Sequence, residues 1–524
     1  MGSKNSNNTS KQTNQGELNW WQLSLIGVGC TIGTGYFLGS SIGIKTTGPS
    51  IVFSFICAAI ATYIVYNMLA KMTAQDPQEG SFCYYAKKAF GKWAGFSCGW
   101  NYWCSNILIM GSQLTGLSIL SRFWFHQIPL WLFAACYAVL SIMVVLLGTK
   151  GFDKIENILA ILKTAAILMF IILAVAALFG WINGHANHPS LPHSFDTFFP
   201  KGWKGFGAAL IYAFYAFGGI EVIGLMAMQL KKKEDAPKAG TIMLIVLTII
   251  YVLSLGLVVC MESYHAFNEE ESPFVKAMED YHLPFFPHVF NGAIIIAGFS
   301  TMTASLFGVT QLLVTLAETH DAPAFFAKKI KRFKDLPLPS LGLATVGLLV
   351  SIITALLLPG KIYEYITTAA GILLLFNCFF IIISALRLLQ LKMWEKIMSV
   401  VGNILLLAAI CGTMLEKEIR PGLYVSIGVV VVIVIISILV NKKASCFLAD
   451  SESSILIKRP IFERQADLGY AIRKKAHKNL YFFTNNGTSV RKHMKIPRFV
   501  TDKGTGVRIK INQGPNRKLV RFGP

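Results

Sequence analysis

The chain has 524 residues, of which 54% are hydrophobic and 14% charged, whereas about a quarter of the residues in soluble domains are charged. That balance excludes an ordinary soluble domain and marks an integral membrane protein. Its 48 lysines and arginines outnumber 27 aspartates and glutamates, for a formal net charge of +21.

Residues 1–19 form a polar tail without the apolar core of a cleavable signal peptide, so the first membrane span is expected to direct insertion. Apolar runs of about 18 residues or more, the length that crosses a bilayer, then predict twelve transmembrane helices. They are Trp20–Ile42, Ser50–Leu69, Trp93–Ser121, Pro129–Thr149, Ile155–Trp181, Phe206–Leu230, Ala239–Met261, Val289–Ala317, Leu341–Leu358, Ile362–Leu386, Ile397–Leu415 and Leu423–Val440. Cytoplasmic loops accumulate lysine and arginine. With the N-terminus inside, 39 of the basic residues fall on cytoplasmic segments and 8 on outer loops, Lys163 alone lying within a span. A missed or added span would invert every later loop, so both termini are expected in the cytoplasm of a multi-pass cell-membrane protein. The ten cysteines form no CxxC pair and the ten histidines lie in loops, segment ends or the tail. No metal, cofactor or enzymatic activity is therefore expected.

The first span carries four glycines in eleven residues, Gly27, Gly29, Gly33 and Gly35 of GVGCTIGTGYF. Each costs about 1 kcal/mol relative to alanine in a helix interior. The pattern predicts unwound backbone near mid-membrane, which is tolerated where the freed N–H and C=O groups line a polar cavity or meet a ligand. A small-residue packing face competes with this reading, because Gly29/Gly33 and Gly35/Gly39 have the GxxxG spacing. Between spans two and three, Phe82, Tyr85, Ala86, Ala89 and Phe90 recur at helical spacing and predict an amphipathic helix along the inner membrane face.

The sixth span repeats the interruption, with Gly218 and Gly219 at the centre of IYAFYAFGGIEVIGL and Glu221 just after them. Breaks in spans one and six fit an inverted repeat of five helices each, about 20–181 and 206–386. A half-helix N-terminus favours an anionic group and exposed carbonyls at a C-terminal end favour a cation, so a zwitterionic amino acid suits both. Gly33, Thr34 and Gly35 are candidates for its carboxylate. Carbonyls of Val28, Gly29 and Phe217 are candidates for its ammonium, beside Gly218 and Gly219 at the second break.

Ionisable residues cost at least about 2.5 kcal/mol at the centre of a span, which makes them functional candidates. Lys163 and Glu221 stand well inside spans five and six, each roughly 12 Å from the cytoplasmic end at 1.5 Å per residue. That depth permits a shared polar network or a structural ion pair. Burial disfavours the charged form of a lysine, so Lys163 is the proton-coupling candidate, with Glu221 as a second protonation site. Asn377, Thr301, Thr303 and Ser305 could line the site, or only hydrogen-bond between helices. The outer loop from Glu262 to Pro287, acidic at 269–271, reads as a solvated connection. Residues 441–524 then carry 19 basic against 5 acidic side chains, a net of +14. Such a segment beside a span is drawn to the anionic inner leaflet by about 1 kcal/mol per basic residue near the surface. No nucleic-acid-binding motif accompanies it, and no nucleic-acid partner is expected.

In this order and spacing, GVGCTIGTGYF, TGPSIVFSF, EGSFCYYAKKAFG, GWNYW, ENILAILK, FGGIEVIG and DAPAFFAKK resemble the amino acid–polyamine–organocation superfamily, and within it the bacterial amino acid permeases. The resemblance implies an all-α integral membrane protein with a leucine-transporter-type 5+5 inverted repeat, broken helices 1 and 6, and two further helices. It also implies proton-driven amino acid import. A lysine at the position of Lys163 would replace a coupling sodium ion, and a glutamate at that of Glu221 would lie beside the substrate. Lys71, Met228-Gln229 and Thr310-Gln311 depart from the family pattern. Three readings follow: a proton symporter with alternating access, an amino acid exchanger, or a non-transporting amino acid receptor that signals through its basic tail.

Overall fold

Inside a bilayer every backbone N–H and C=O must be satisfied within the segment, which favours helices over open sheet. A computed structural model describes residues 18–78, 80–184, 194–221, 230–268, 271–330, 336–357 and 362–458, and they are almost entirely helical. In chain order the helices are α1 (Trp20–Thr31), α2 (Thr34–Phe37), α3 (Gly39–Thr47), α4 (Ile51–Gln75), α5 (Ser81–Phe90), α6 (Lys92–Ser121), α7 (Leu130–Leu146), α8 (Thr149–Leu178), α9 (Phe195–Phe198), α10 (Gly202–Ala216), α11 (Ala236–Met261), α12 (Pro273–Lys276), α13 (Phe286–Glu318), α14 (Leu338–Leu357), α15 (Ile362–Leu388), α16 (Met393–Leu415) and α17 (Arg420–Lys458). Residues 1–443 form one compact unit; residues 444–524 form a second, described through Lys458 as helical backbone.

Each of the twelve apolar runs coincides with at least one helix, but among the described residues seven stretches meet both the length and the composition needed to cross a membrane. The difference has local causes. The first and sixth runs are cut by breaks, so α1 and α10 span only 12 and 15 residues. The 30 residues of α6 are interspersed with Ser, Asn, Gln and Gly, and α7 and α14 are shorter apolar helices. Outward faces of α8, α16 and α17 expose Ile161, Ile172, Ile404, Val432 and Ile435, as lipid-facing helices do.

Two connections differ from expectation. The amphipathic α5 forms, but its apolar face packs on protein: the Phe82 ring meets Tyr102 of α6, and Phe90 meets Phe380 of α15. The connection over 262–287 is more than a solvated loop, because α12 buries Phe274 against Phe37, Phe170 and Phe290. Glu269 and Glu270 lie outside the described residues.

Candidate functional site

The first break is narrower than four glycines suggest. α1 ends with Ile32 N–H donating to the Val28 carbonyl at 3.2 Å, and Ile32 and Gly33 are extended before α2 begins at Thr34. Gly27 and Gly29 are helical within α1, and Gly35 lies within α2. Gly29 serves close packing instead, since a Cβ there would stand 2.7 Å from Ala160 Cβ of α8 and 3.7 Å from Lys163 Cε. The unwinding and packing readings of the glycine motif therefore both hold, at different positions.

Thr34 opens the second half-helix, and its donors are already engaged. Its N–H donates to Gln113 Oε1 of α6 at 3.0 Å, and its hydroxyl donates to the same oxygen. A planar amide oxygen thus occupies the place expected for a substrate carboxylate. Gly33 makes room for it, because a Cβ there would lie 3.0 Å from Gln113 Nε2 and 2.6 Å from Thr301 Oγ1. Tyr363 Oη donates to the Thr34 carbonyl at 3.0 Å. Gly35 lies under the Tyr215 ring of α10, on which any Cβ would fall.

In the sixth run, α10 stops at Ala216, and Phe217, Gly218 and Gly219 form a turn before helix resumes at Ile220. Gly219 has φ +107°, a backbone state that side chains other than hydrogen rarely adopt. The Phe217 ring packs on Phe55 and Tyr251, and Tyr251 Oη donates to the Ala216 carbonyl at 3.1 Å. A Cβ on Gly218 would stand 2.9 Å from Leu374 Cδ1. Residues 222–229 lie outside the described structure, with Met228 and Gln229 among them. The two breaks are joined through α6: Ser112 hydrogen-bonds Tyr215, and its neighbour Gln113 holds Thr34.

Lys163 and Glu221 belong to separate groups among the described residues. Lys163 is fully buried; its Nζ donates to Ser300 Oγ of α13 at 2.7 Å and lies 3.4 Å from Glu156 Oε1. The Ser300 hydroxyl in turn donates to Glu156 Oε1 at 2.6 Å. Glu221 Oε2 accepts the Gly219 N–H at 3.1 Å, and the Cys378 thiol donates to Oε1 across 3.7 Å. Thr301 and Thr303 return their hydroxyls to carbonyls of their own helix.

Sequence reasoning passed over Glu156, Gln113 and Ser300 as site residues. Glu156 was legible, because it precedes Lys163 by seven residues, two helical turns on one face. Gln113 and Ser300 carry no such signal, and only their tertiary partners single them out.

The model of the amino acid permease family matches residues 22–415. The chain belongs to the amino acid permease family. The permease is 51% identical over 435 residues to an uncharacterized transporter of Bacillus subtilis, covering 83% of this chain and 97% of the relative. It is 27% identical to the gamma-aminobutyric acid permease of the same organism, over 88% and 99% of the two chains. It is 29% identical to an aromatic amino acid transport protein of Corynebacterium glutamicum, over 72% and 81%. The crystal structure of MhsT in complex with L-phenylalanine superposes with a TM-score of 0.53 at 14% identity, covering 77% of this chain and 99% of that one. The permease therefore has the leucine-transporter-type fold.

Proposed function

We propose that this permease imports an amino acid across the cell membrane by proton symport with alternating access, at a site between the two broken helices. The observation that carries the reading is Lys163. Its ammonium group is buried in a membrane-embedded bundle and bonded to Ser300, and its Cε is set against Gly29 one turn before the first break. A buried ionisable group in a span is costly and marks an ion or proton pathway by default. When charged, Lys163 ties α8 to α13 through Ser300. When neutral, it loses its attraction to the Glu156 carboxylate while Ser300 stays bonded to Glu156. That change falls beside the close packing of α8 on α1 at Ala160 and Gly29, which links proton occupancy to movement at the break.

In this proposal the substrate carboxylate displaces Gln113 from Thr34, at the N-terminal turn framed by Gly33 and Gly35. The carbonyls of Val28, Gly29 and Phe217 face its ammonium, and Gly218 and Gly219 supply backbone at the second break. Glu221 is the second protonation site. The relatives named for aromatic amino acids and gamma-aminobutyric acid support an amino acid substrate without choosing one. The transport unit is residues 20–440 with both termini cytoplasmic, and residues 441–524 form a basic tail on the anionic inner leaflet. Uptake of a labelled amino acid panel into proteoliposomes, with and without an inward proton gradient, tests the reading. Gradient-dependent accumulation is expected. Gradient-independent counterflow would indicate exchange instead, and binding without uptake would indicate a receptor.

A further inference from the structure

The seam between α6 and α15 carries polar groups that the transport reading leaves unused. On α6, Ser97, Asn101 and Ser105 are spaced four residues apart and share one face. Ser105 Oγ donates to the Ala370 carbonyl at 3.0 Å and Asn101 Nδ2 to the Leu373 carbonyl at 2.7 Å, which fixes that face against α15 and makes the pair antiparallel. On α15 the same stripe continues at helical spacing through Asn377 and Ser384. Past those two bonds, Ser97 Oγ, Asn101 Oδ1, both amide atoms of Asn377 and Ser384 Oγ have no hydrogen-bond partner among the described residues. None of the four side chains is more than 1% exposed.

A buried polar atom left unpaired costs about 1–3 kcal/mol, and buried water, making about three bonds to such groups, is the usual remedy. Five such atoms follow one stripe toward the start of α6 and the end of α15. Cys378, next to Asn377 but about 100° round the helix, bonds Glu221, so Glu221 borders the neighbouring face of α15 rather than the stripe itself. Among the described residues no charged side chain contacts Glu221, and the Cys378 thiol is the one titratable group beside it.

We propose that the α6–α15 seam holds a file of ordered water that carries protons between Glu221 and the cytoplasmic surface; this rests on Glu221 being a protonation site. A proton delivered by the nearest water bonds to a Glu221 carboxylate oxygen and leaves the neutral acid. That water is reprotonated by the next one in the file, and release runs in reverse. The serine and asparagine side chains orient the waters and are unchanged.

Hydroxyl-radical footprinting of the full-length permease in lipid nanodiscs, read by mass spectrometry, tests for water in the seam. Leu373 should be labelled well above Leu406 of α16, although the two are equally buried at 0% and 1% exposure. Asn377→Leu should lower that labelling and slow proton-driven uptake about tenfold, with substrate affinity unchanged. If Asn377→Leu does not insert, the Ser97→Ala/Ser384→Ala pair removes two hydroxyls with little change of volume and should give the same two effects. Labelling of Leu373 no greater than that of Leu406 overturns the water file whatever Glu221 does. Unchanged proton-driven uptake in a variant whose seam has dried overturns the proton route. Retained pH dependence in Glu221→Gln with a wet seam refutes Glu221 as the terminus, and so separates failure of the coupling reading from failure of the water file.

Discussion

Lys163 sits among oxygens, so its removal has two consequences that can be measured apart. Lys163→Ala leaves Glu156 buried without its cation, a loss of about 3–5 kcal/mol, and should lower thermal stability in detergent. Adding Glu156→Gln should restore most of that stability. Neither the single nor the double variant should accumulate substrate against a gradient if Lys163 couples the proton. Concentrative, protonophore-sensitive uptake by the double variant would make the pair structural. Glu221→Gln, which imitates the protonated acid, should keep binding and lose the pH dependence of transport. Gln113 offers a sharper probe, because its Oε1 already accepts from Thr34. Gln113→Glu puts a tethered carboxylate there, and a charged hydrogen bond is worth about 1.5–3 kcal/mol, so amino acid affinity should fall tenfold or more. Equilibrium binding of a labelled amino acid checks this, and unchanged affinity would place the carboxylate elsewhere.

At the scale of elements, the breaks depend on packing as much as on glycine. Gly35→Val drives a branched side chain into the Tyr215 ring, an overpacking worth about 1–3 kcal/mol. It should lower the melting temperature as well as abolish binding, and binding at full affinity would remove Gly35 from the site. The turn between α4 and α5 is held differently. Lys88 Nζ donates to Asp76 Oδ2 at 2.6 Å and, with Gln78, keeps the Asp76 carboxyl below its ordinary range. A depressed folded-state pKa gives stability that is complete above the unfolded value and lost as pH falls through the folded one. Cleavage of the 71–92 segment by an acid-active protease should therefore rise only below the usual aspartate range, and Asp76→Asn should raise it at higher pH. The pair is exposed and screened, so the effect should be local. The antiparallel bond pattern of α6 on α15 could not be read from either helix alone, since Asn101 and Leu373 stand 272 residues apart.

For the whole molecule, the composition break after Val440 predicts that the basic tail is dispensable for transport. Truncation after Lys443 should leave uptake within a few-fold of the intact protein while weakening attachment to anionic vesicles, and loss of transport in a properly inserted truncation would tie the tail to the transport unit. The sequence alone determined that this is a helical membrane protein interrupted in its first and sixth apolar runs. Lipid selects long apolar segments, and glycine weakens a helix wherever it stands, so both signals are local. It also singled out Lys163 and Glu221, because a charge inside an apolar run is visible without any fold. Tertiary structure decided the rest. It confined the first break to Ile32 and Gly33, gave Lys163 the partners Ser300 and Glu156, which among the described residues stand apart from those of Glu221, and set Gln113 on Thr34. Those choices depend on which helix faces meet, and hydrogen-bond partners separated by 79 or 137 residues leave no periodicity in the chain that joins them.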